Sequence, residues 1–189
     1  MFYLNLLFTY CILYWVIIML ETIGQIVGFV AMGIIVISYQ QKTHKNILVF
    51  QMVSGLLFTA HYVLIGAYTG AIMNLVGAFR SLVYSNRGSK KWATPLIWPI
   101  LFSVAFLISG ILTWENNFSV FPLIAMITSS VVLWIEKPKV NRMLSLPTST
   151  CWLIYNIKTQ SIPGIATEIF VLASIIIGIL RLDIKKKNK

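Results

Sequence analysis

Apolar stretches recur along this chain at short intervals, most of them about long enough to cross a lipid bilayer and two shorter ones completed by polar flanks. No other feature of the sequence constrains the fold as strongly. The hydrocarbon core is about 30 Å thick, and a helix of about 20 mostly apolar residues spans it. Seven such stretches run Ile23–Ser38, Ile47–Ile65, Tyr68–Tyr84, Pro95–Trp114, Phe118–Ile135, Leu144–Ile157 and Ile165–Leu182. Their connections are brief: Gly66-Ala67, Glu115-Asn116-Asn117 and Ser161-Ile162-Pro163-Gly164 turn the chain between neighbours. The chain is 58% hydrophobic and 11% charged, with a mean hydropathy of +0.85. A soluble globule carries about 25% charged residues and would have nowhere to hide this apolar surface. Disordered chains are poor in apolar residues, and two cysteines do not make a disulfide scaffold. The expected fold class is an all-α polytopic membrane protein, with the lipid bilayer as its first partner.

Phe2–Leu20 is also apolar, and only Glu21 and Thr22 separate it from the next stretch. Three readings are open. It is a separate extra helix, an interfacial or cleaved segment, or an over-extended start, with Met19 opening the chain as Met-Leu-Glu. One helix from Phe2 to Ser38 would run about 55 Å at 1.5 Å per residue. That is too long for one crossing, so the sequence argues against a continuous helix.

Lys and Arg collect in cytoplasmic loops because translocating them is unfavourable. Lys42 and Lys45 follow the first span, Arg87, Lys90 and Lys91 the third, and Lys137, Lys139 and Arg142 the fifth. Lys185, Lys186, Lys187 and Lys189 follow the seventh, while the other loops hold only Lys158. The alternation predicts seven crossings and a cytoplasmic C-terminus. The net charge of +10 thus marks a membrane face and the lipid headgroups beside it, not nucleic-acid binding.

Shifting the sequence by 94 residues lays spans one to three on spans five to seven. Ala31-Met32 falls on Ala125-Met126, Gln51 on Ser145, Phe58 on Trp152, His61 on Tyr155, Tyr62 on Asn156, Gly70 on Gly164 and Asn74 on Glu168. Two three-helix units of the same orientation need an odd helix between them, and the fourth span supplies it. The predicted architecture is a seven-helix 3+1+3 parallel repeat. It divides into an N-terminal segment 1–21, a first bundle 22–92, a linker helix 93–116, a second bundle 117–184 and a basic tail 185–189.

Three stretches carry a likeness to a known family. They are Ile37-Ser38-Tyr39-Gln40-Gln41-Lys42, the run Leu56 to Gly70 that includes Phe58-Thr59-Ala60-His61-Tyr62, and Asn74-Leu75-Val76-Gly77-Ala78-Phe79-Arg80. With Cys151-Trp152-Leu153-Ile154-Tyr155-Asn156, the chain resembles the YgjV-type bacterial inner-membrane proteins over residues 22–184. That family is similar at a distance to the SWEET and PQ-loop transporters. The resemblance implies a bacterial inner-membrane location and a two-bundle carrier fold. It also implies a central pocket in which a helix-two aromatic meets a helix-three amide. Phe58 with Asn74, and Trp152 with Glu168, occupy those positions. Glu168 departs from the amide pattern, and a carboxylate there suits a cationic solute or a proton-coupled step. The helix-one proline of PQ-loop proteins has no counterpart; Gly28 and Pro122 are the hinge points the sequence offers in its place.

At 100° per residue, Gln51, Gly55, Phe58 and Tyr62 share one face of the second span, flanked by Ser54 and His61. Ser145, Ser149, Trp152 and Asn156 repeat that face in the sixth, flanked by Thr148 and Tyr155. Amides and hydroxyls replace the hydrogen bonds a solute loses on leaving water, and aromatic faces stack on flat groups. The candidate solute-binding residues are therefore Phe58, Asn74, Trp152, Glu168, His61, Tyr62, Tyr155, Asn156 and Gln51. Each also has a structural reading. Small residues such as Gly24, Gly28 and the Gly70–Ser81 stripe allow close helix packing. Glu168 and Asn74, in first turns, can face an interface, Arg80 can snorkel to one, and His61 can be a hydrogen-bonded core histidine. The sequence holds no paired cysteines, metal-ligand spacing, phosphate loop or nucleophile motif. The expectation is a non-enzymatic carrier of a small polar solute, with no cofactor and with room for homo-oligomerisation. The alternative is a non-transporting membrane protein that binds a partner or senses a small molecule.

Overall fold

The structure, a computed structural model, describes residues 2–135 and 137–180, with the backbone alone for residues 2–9, 39 and 138. Among the described residues there are seven α-helices and no strand: α1 Phe2–Tyr39, α2 His44–Leu64, α3 Tyr68–Ser85, α4 Ile97–Leu112, α5 Val120–Ile135, α6 Pro138–Lys158 and α7 Ile162–Gly178. Single 3-10 turns at Lys91–Ala93 and Asn117–Ser119 lead into α4 and α5. Hydrocarbon offers no water to the backbone, so apolar stretches of this kind must satisfy their own N–H and C=O groups, and a helix does so. Tyr10–Ser38, His44–Leu64 and Asn117–Ile135 are long and apolar enough to cross a bilayer, whereas the apolar helices Ile97–Leu112 and Ile162–Gly178 are shorter.

In each half the middle helix packs on both neighbours, α2 on α1 and α3, α6 on α5 and α7. The halves meet where α1 touches α7 and α3 touches α5, and α4 lies against α3 and α5. Side chains fix several helix starts. Thr43 caps α2 by accepting from the Asn46 amide at 3.2 Å, and Ser161 caps α7 by accepting from Gly164 at 3.2 Å. The Glu115 carboxylate accepts from the Thr69 amide at 2.8 Å, closing the first turn of α3 from the α4–α5 loop.

The turns leaving α2 and α6 follow one pattern. Ile65 donates to the His61 carbonyl, Gly66 to Val63, Ala67 to Tyr62 and Ala71 to Ala67. Thr159 donates to Tyr155, Gln160 to Ile157, Ser161 to Asn156 and Ile165 to Ser161. Each bond of the second set lies 94 residues after its counterpart. Gly66 has φ +75° and Gln160, its counterpart, +54°. Gln160 thus sits in the left-handed region that favours glycine.

Several expectations are corrected. No separate helix precedes the first span. Glu21 and Thr22 contain no breaker, the Thr22 hydroxyl donates to the Ile18 carbonyl at 2.8 Å, and α1 runs unbroken for 38 residues. Every side chain from Tyr10 to Ile23 is exposed, and Gly24 is the first described residue of α1 to be buried. α6 starts six residues before Leu144, with Pro138 in its first turn, because a proline's missing N–H costs nothing there. Pro122 lies in the first turn of α5, where it does not bend the helix. A Cβ at Gly28 would lie 2.4 Å from Pro163 Cγ and 2.8 Å from His61 Nδ1, so Gly28 is a close-packing point, not a hinge. The proline inside a helix is Pro147 of α6. The basic tail 185–189 and the last residues of the seventh span lie outside the described residues.

Candidate functional site

A cavity of about 230 Å³ lies between the two halves. α2 contributes Gln51, Ser54, Gly55, Phe58 and Tyr62; α3 contributes Asn74, Gly77, Arg80 and Ser81. α6 contributes Ser145, Thr148, Ser149, Trp152 and Asn156, and α7 Gly164, Thr167, Glu168 and Val171. Ile35 of α1 and Met126, Ser129, Val132 and Leu133 of α5 complete the wall, while α4 contributes nothing. The lining of α2 and α6 follows the helical periodicity of their polar faces. One turn of α2 gives Ser54, Gly55 and Phe58, and the matching turn of α6 gives Thr148, Ser149 and Trp152.

At the end bearing the α2–α3 and α6–α7 turns, the two halves are tied together. The Tyr62 hydroxyl donates to Asn156 Oδ1 at 2.5 Å. The Tyr62 ring stacks on Phe58 at 6.0 Å and on Trp152 at 6.1 Å, so three aromatics form one slab across the cavity end. Behind it, the Gly70 amide donates to the Tyr155 hydroxyl at 2.8 Å. His61 Nδ1 faces the Gly24 carbonyl at 2.8 Å and Nε2 faces the Ser161 hydroxyl at 2.7 Å. A carbonyl only accepts, so Nδ1 carries the proton and donates, while Nε2 shares a hydrogen bond with the Ser161 hydroxyl. Gln25 adds a further tie from α1, donating to the Gln160 carbonyl at 3.0 Å and accepting from the Ile162 amide at 3.2 Å.

Seven of the nine sequence-predicted residues (Gln51, Phe58, Tyr62, Asn74, Trp152, Asn156 and Glu168) line this one cavity. His61 and Tyr155 do not. Both are fully buried and stand one position around their helices from Tyr62 and Asn156, toward the packed neighbour and away from the hollow. Asn74 donates from Nδ2 to the Gly70 carbonyl of its own helix at 3.0 Å, and Glu168 faces Ser149 across the α6–α7 contact. Neither occupies a first helical turn. α3 starts at Tyr68 and α7 at Ile162, six residues earlier in each case, so both side chains point inward rather than to an interface.

Residues 22–186 match a family described as bacterial inner membrane protein, Imp-YgjV. The chain belongs to the Imp-YgjV family. No curated protein and no solved structure matches it. In this Imp-YgjV protein, then, a bacterial inner membrane surrounds the apolar helices, and the cavity inside them has a mixed lining of polar and apolar side chains.

The residue that sequence reasoning placed elsewhere is Arg80. It does not snorkel to an interface; it is 6% exposed. Its Nη1 donates to Ser129 Oγ at 2.6 Å, Ser130 Oγ at 3.3 Å and the Met126 carbonyl at 3.3 Å, all on α5. Tyr84 donates to the Ser130 carbonyl at 3.0 Å one turn further on. Arg87 donates to the Trp134 carbonyl at 2.5 Å, with its guanidinium 3.9 Å from that ring centroid. A ladder from α3 therefore clamps α5 at the end opposite the aromatic slab. The signal available in the sequence is the run Thr128-Ser129-Ser130 in the middle of a mostly apolar span.

Proposed function

We propose that this Imp-YgjV protein is a carrier of a small polar solute, built from two parallel three-helix units, α1–α3 and α5–α7, joined by α4. The observation that carries the reading is one cavity that receives polar side chains from both halves at matched positions and is closed at one end by an aromatic slab. The duplication is supported by the turn bonds repeated at a spacing of 94 residues, by the shared left-handed position at Gly66 and Gln160, and by the Tyr62–Asn156 bond joining two equivalent positions. The contacts also exchange in pairs, α1 with α7 matching α5 with α3. The basic loops after α1, α3 and α5 favour a cytoplasmic setting for the clamped end and so an outward-facing slab. Pro147 leaves the Met143 carbonyl without its helical donor and gives α6 a place to bend beside Thr148 and Ser149. The reading assigns no catalytic residue, cofactor or metal.

Proteoliposomes loaded with candidate solutes test it. Saturable flux that Asn74→Ala or Trp152→Ala reduces at least about tenfold is the expected result; a broad panel with no saturable uptake overturns it. The tight packing at Gly28, where the family likeness would place a hinge, favours a second reading, a non-transporting binding or sensor protein. Recovery of a fixed partner at constant stoichiometry, with no flux, would select that reading.

A further inference from the structure

The guanidinium of Arg80 is buried and makes no ion pair among the described residues. All three of its hydrogen bonds leave from Nη1 and end on neutral oxygens. Nε is buried with no partner, and Nη2 makes no hydrogen bond among the described residues. Among the described residues no carboxylate pairs with it. Phe106 lies beneath the group with its ring centroid 5.5 Å from Cζ, a weak substitute for an anion. Leaving a buried cation unpaired is costly, and a hydrogen-bonded counter-charge offsets that cost. Nε and Nη2 form one edge of the guanidinium fork, the edge that takes a carboxylate with two parallel N–H···O bonds. Arg80 is among the residues that line the cavity; its Nε is closed to solvent, so a carboxylate in the cavity pairs with the fork once the side chain turns to meet it. Ser81, Ser129, Ser145 and Gln51 share the wall and add hydroxyls and an amide to the same region.

We propose that Arg80 is the anion-recognition residue of the cavity and that the solute carries a carboxylate. This rests on the cavity being a solute site, and it narrows the class from any small polar molecule to small organic acids, amino acids included. Glu168 and Asn74 stand nearer the aromatic slab and read the other end of the solute. A neutral sugar could accept hydrogen bonds from the fork but would leave its charge without a counter-ion.

The test is binding, which needs no transport. Purified protein in detergent is titrated by calorimetry with two- to six-carbon carboxylates, hydroxy acids and amino acids, and with the carboxamide of each. At least one carboxylate should bind about tenfold or more tightly than its own amide, the loss expected when a charge-assisted pair is removed. The comparison uses unaltered protein, so it survives if Arg80→Gln does not fold. Where the variants do fold, Arg80→Gln should abolish the preference, and Arg80→Lys should keep a weakened one because a point charge replaces the fork. Amides binding as well as acids, chloride or phosphate binding in place of carboxylates, or no binding at all would each overturn the proposal. Acid-selective binding without flux in proteoliposomes would keep the anion site and refute the carrier reading.

Discussion

Gly164 shows how little room single residues have where the halves of this protein meet. A Cβ there would sit 2.4 Å from Asn156 Oδ1 and 2.5 Å from Ser161 Oγ, the two groups that bond the slab and cap α7. Gly164→Ala should destabilise the protein by about 1–3 kcal/mol, the usual cost of overpacking, seen as a lower thermal midpoint in detergent. Gly33→Ala is the control. Nothing lies within 4 Å of its added Cβ, and a midpoint that also drops there would refute the packing argument. Gln160 makes the opposite prediction. With φ +54° it holds a conformation that costs a non-glycine residue about 1–2 kcal/mol. Gln160→Gly should therefore raise the midpoint, and no change or a fall would count against the strain. Among the site residues, the period of the polar faces made Gln51, Phe58, Tyr62, Trp152 and Asn156 legible in the sequence. The same period could not say that His61 and Tyr155 turn away, because one step around a helix decides between a hollow and a packed neighbour.

Helices here are started by their neighbours as much as by their own sequence. The first turn of α3 has no cap from its own N-cap residue Ala67; Glu115 reaches it from the loop after α4. A carboxylate on the first amides of a helix stabilises it by hydrogen bonding and by opposing the helix dipole. Glu115→Ala should cost about 1 kcal/mol, with the loss appearing as faster hydrogen exchange in residues 68–71; unchanged exchange there would mean the cap is idle. Apolar runs in the sequence located the helices well. Their ends were missed where polar residues belong to the helix, as at Pro138–Met143 in α6, since a span recognised by hydropathy stops where hydropathy falls. α1 was misjudged for a related reason. Length alone argued for a break near Glu21, but the local residues offer no breaker, and local chemistry governs where a helix stops.

For the whole molecule, the described part of α1 before Gly24 stands outside the fold, with Tyr10 to Leu20 all exposed. A chain begun at Met19 should reach the membrane and unfold at the same temperature as the full one. A midpoint lower by more than about 4 °C, the shift that about 1 kcal/mol produces in a chain of this size, would show that this segment supports the bundle. The two halves, in contrast, should be coupled. A double-mutant cycle on Tyr62→Phe and Asn156→Leu should return about 1 kcal/mol, within the range of hydrogen bonds between membrane helices. A cycle that sums to zero would remove the tie. The sequence by itself determined that this chain is helical and lies in a membrane, and it marked the polar faces of α2 and α6, because hydropathy and a period of 3.6 residues are local properties. Only the tertiary structure decided that those faces meet across one hollow and that Arg80 is held there by serines of α5. Burial and pairing depend on what distant segments bring to the same place, and no local pattern in the chain encodes that.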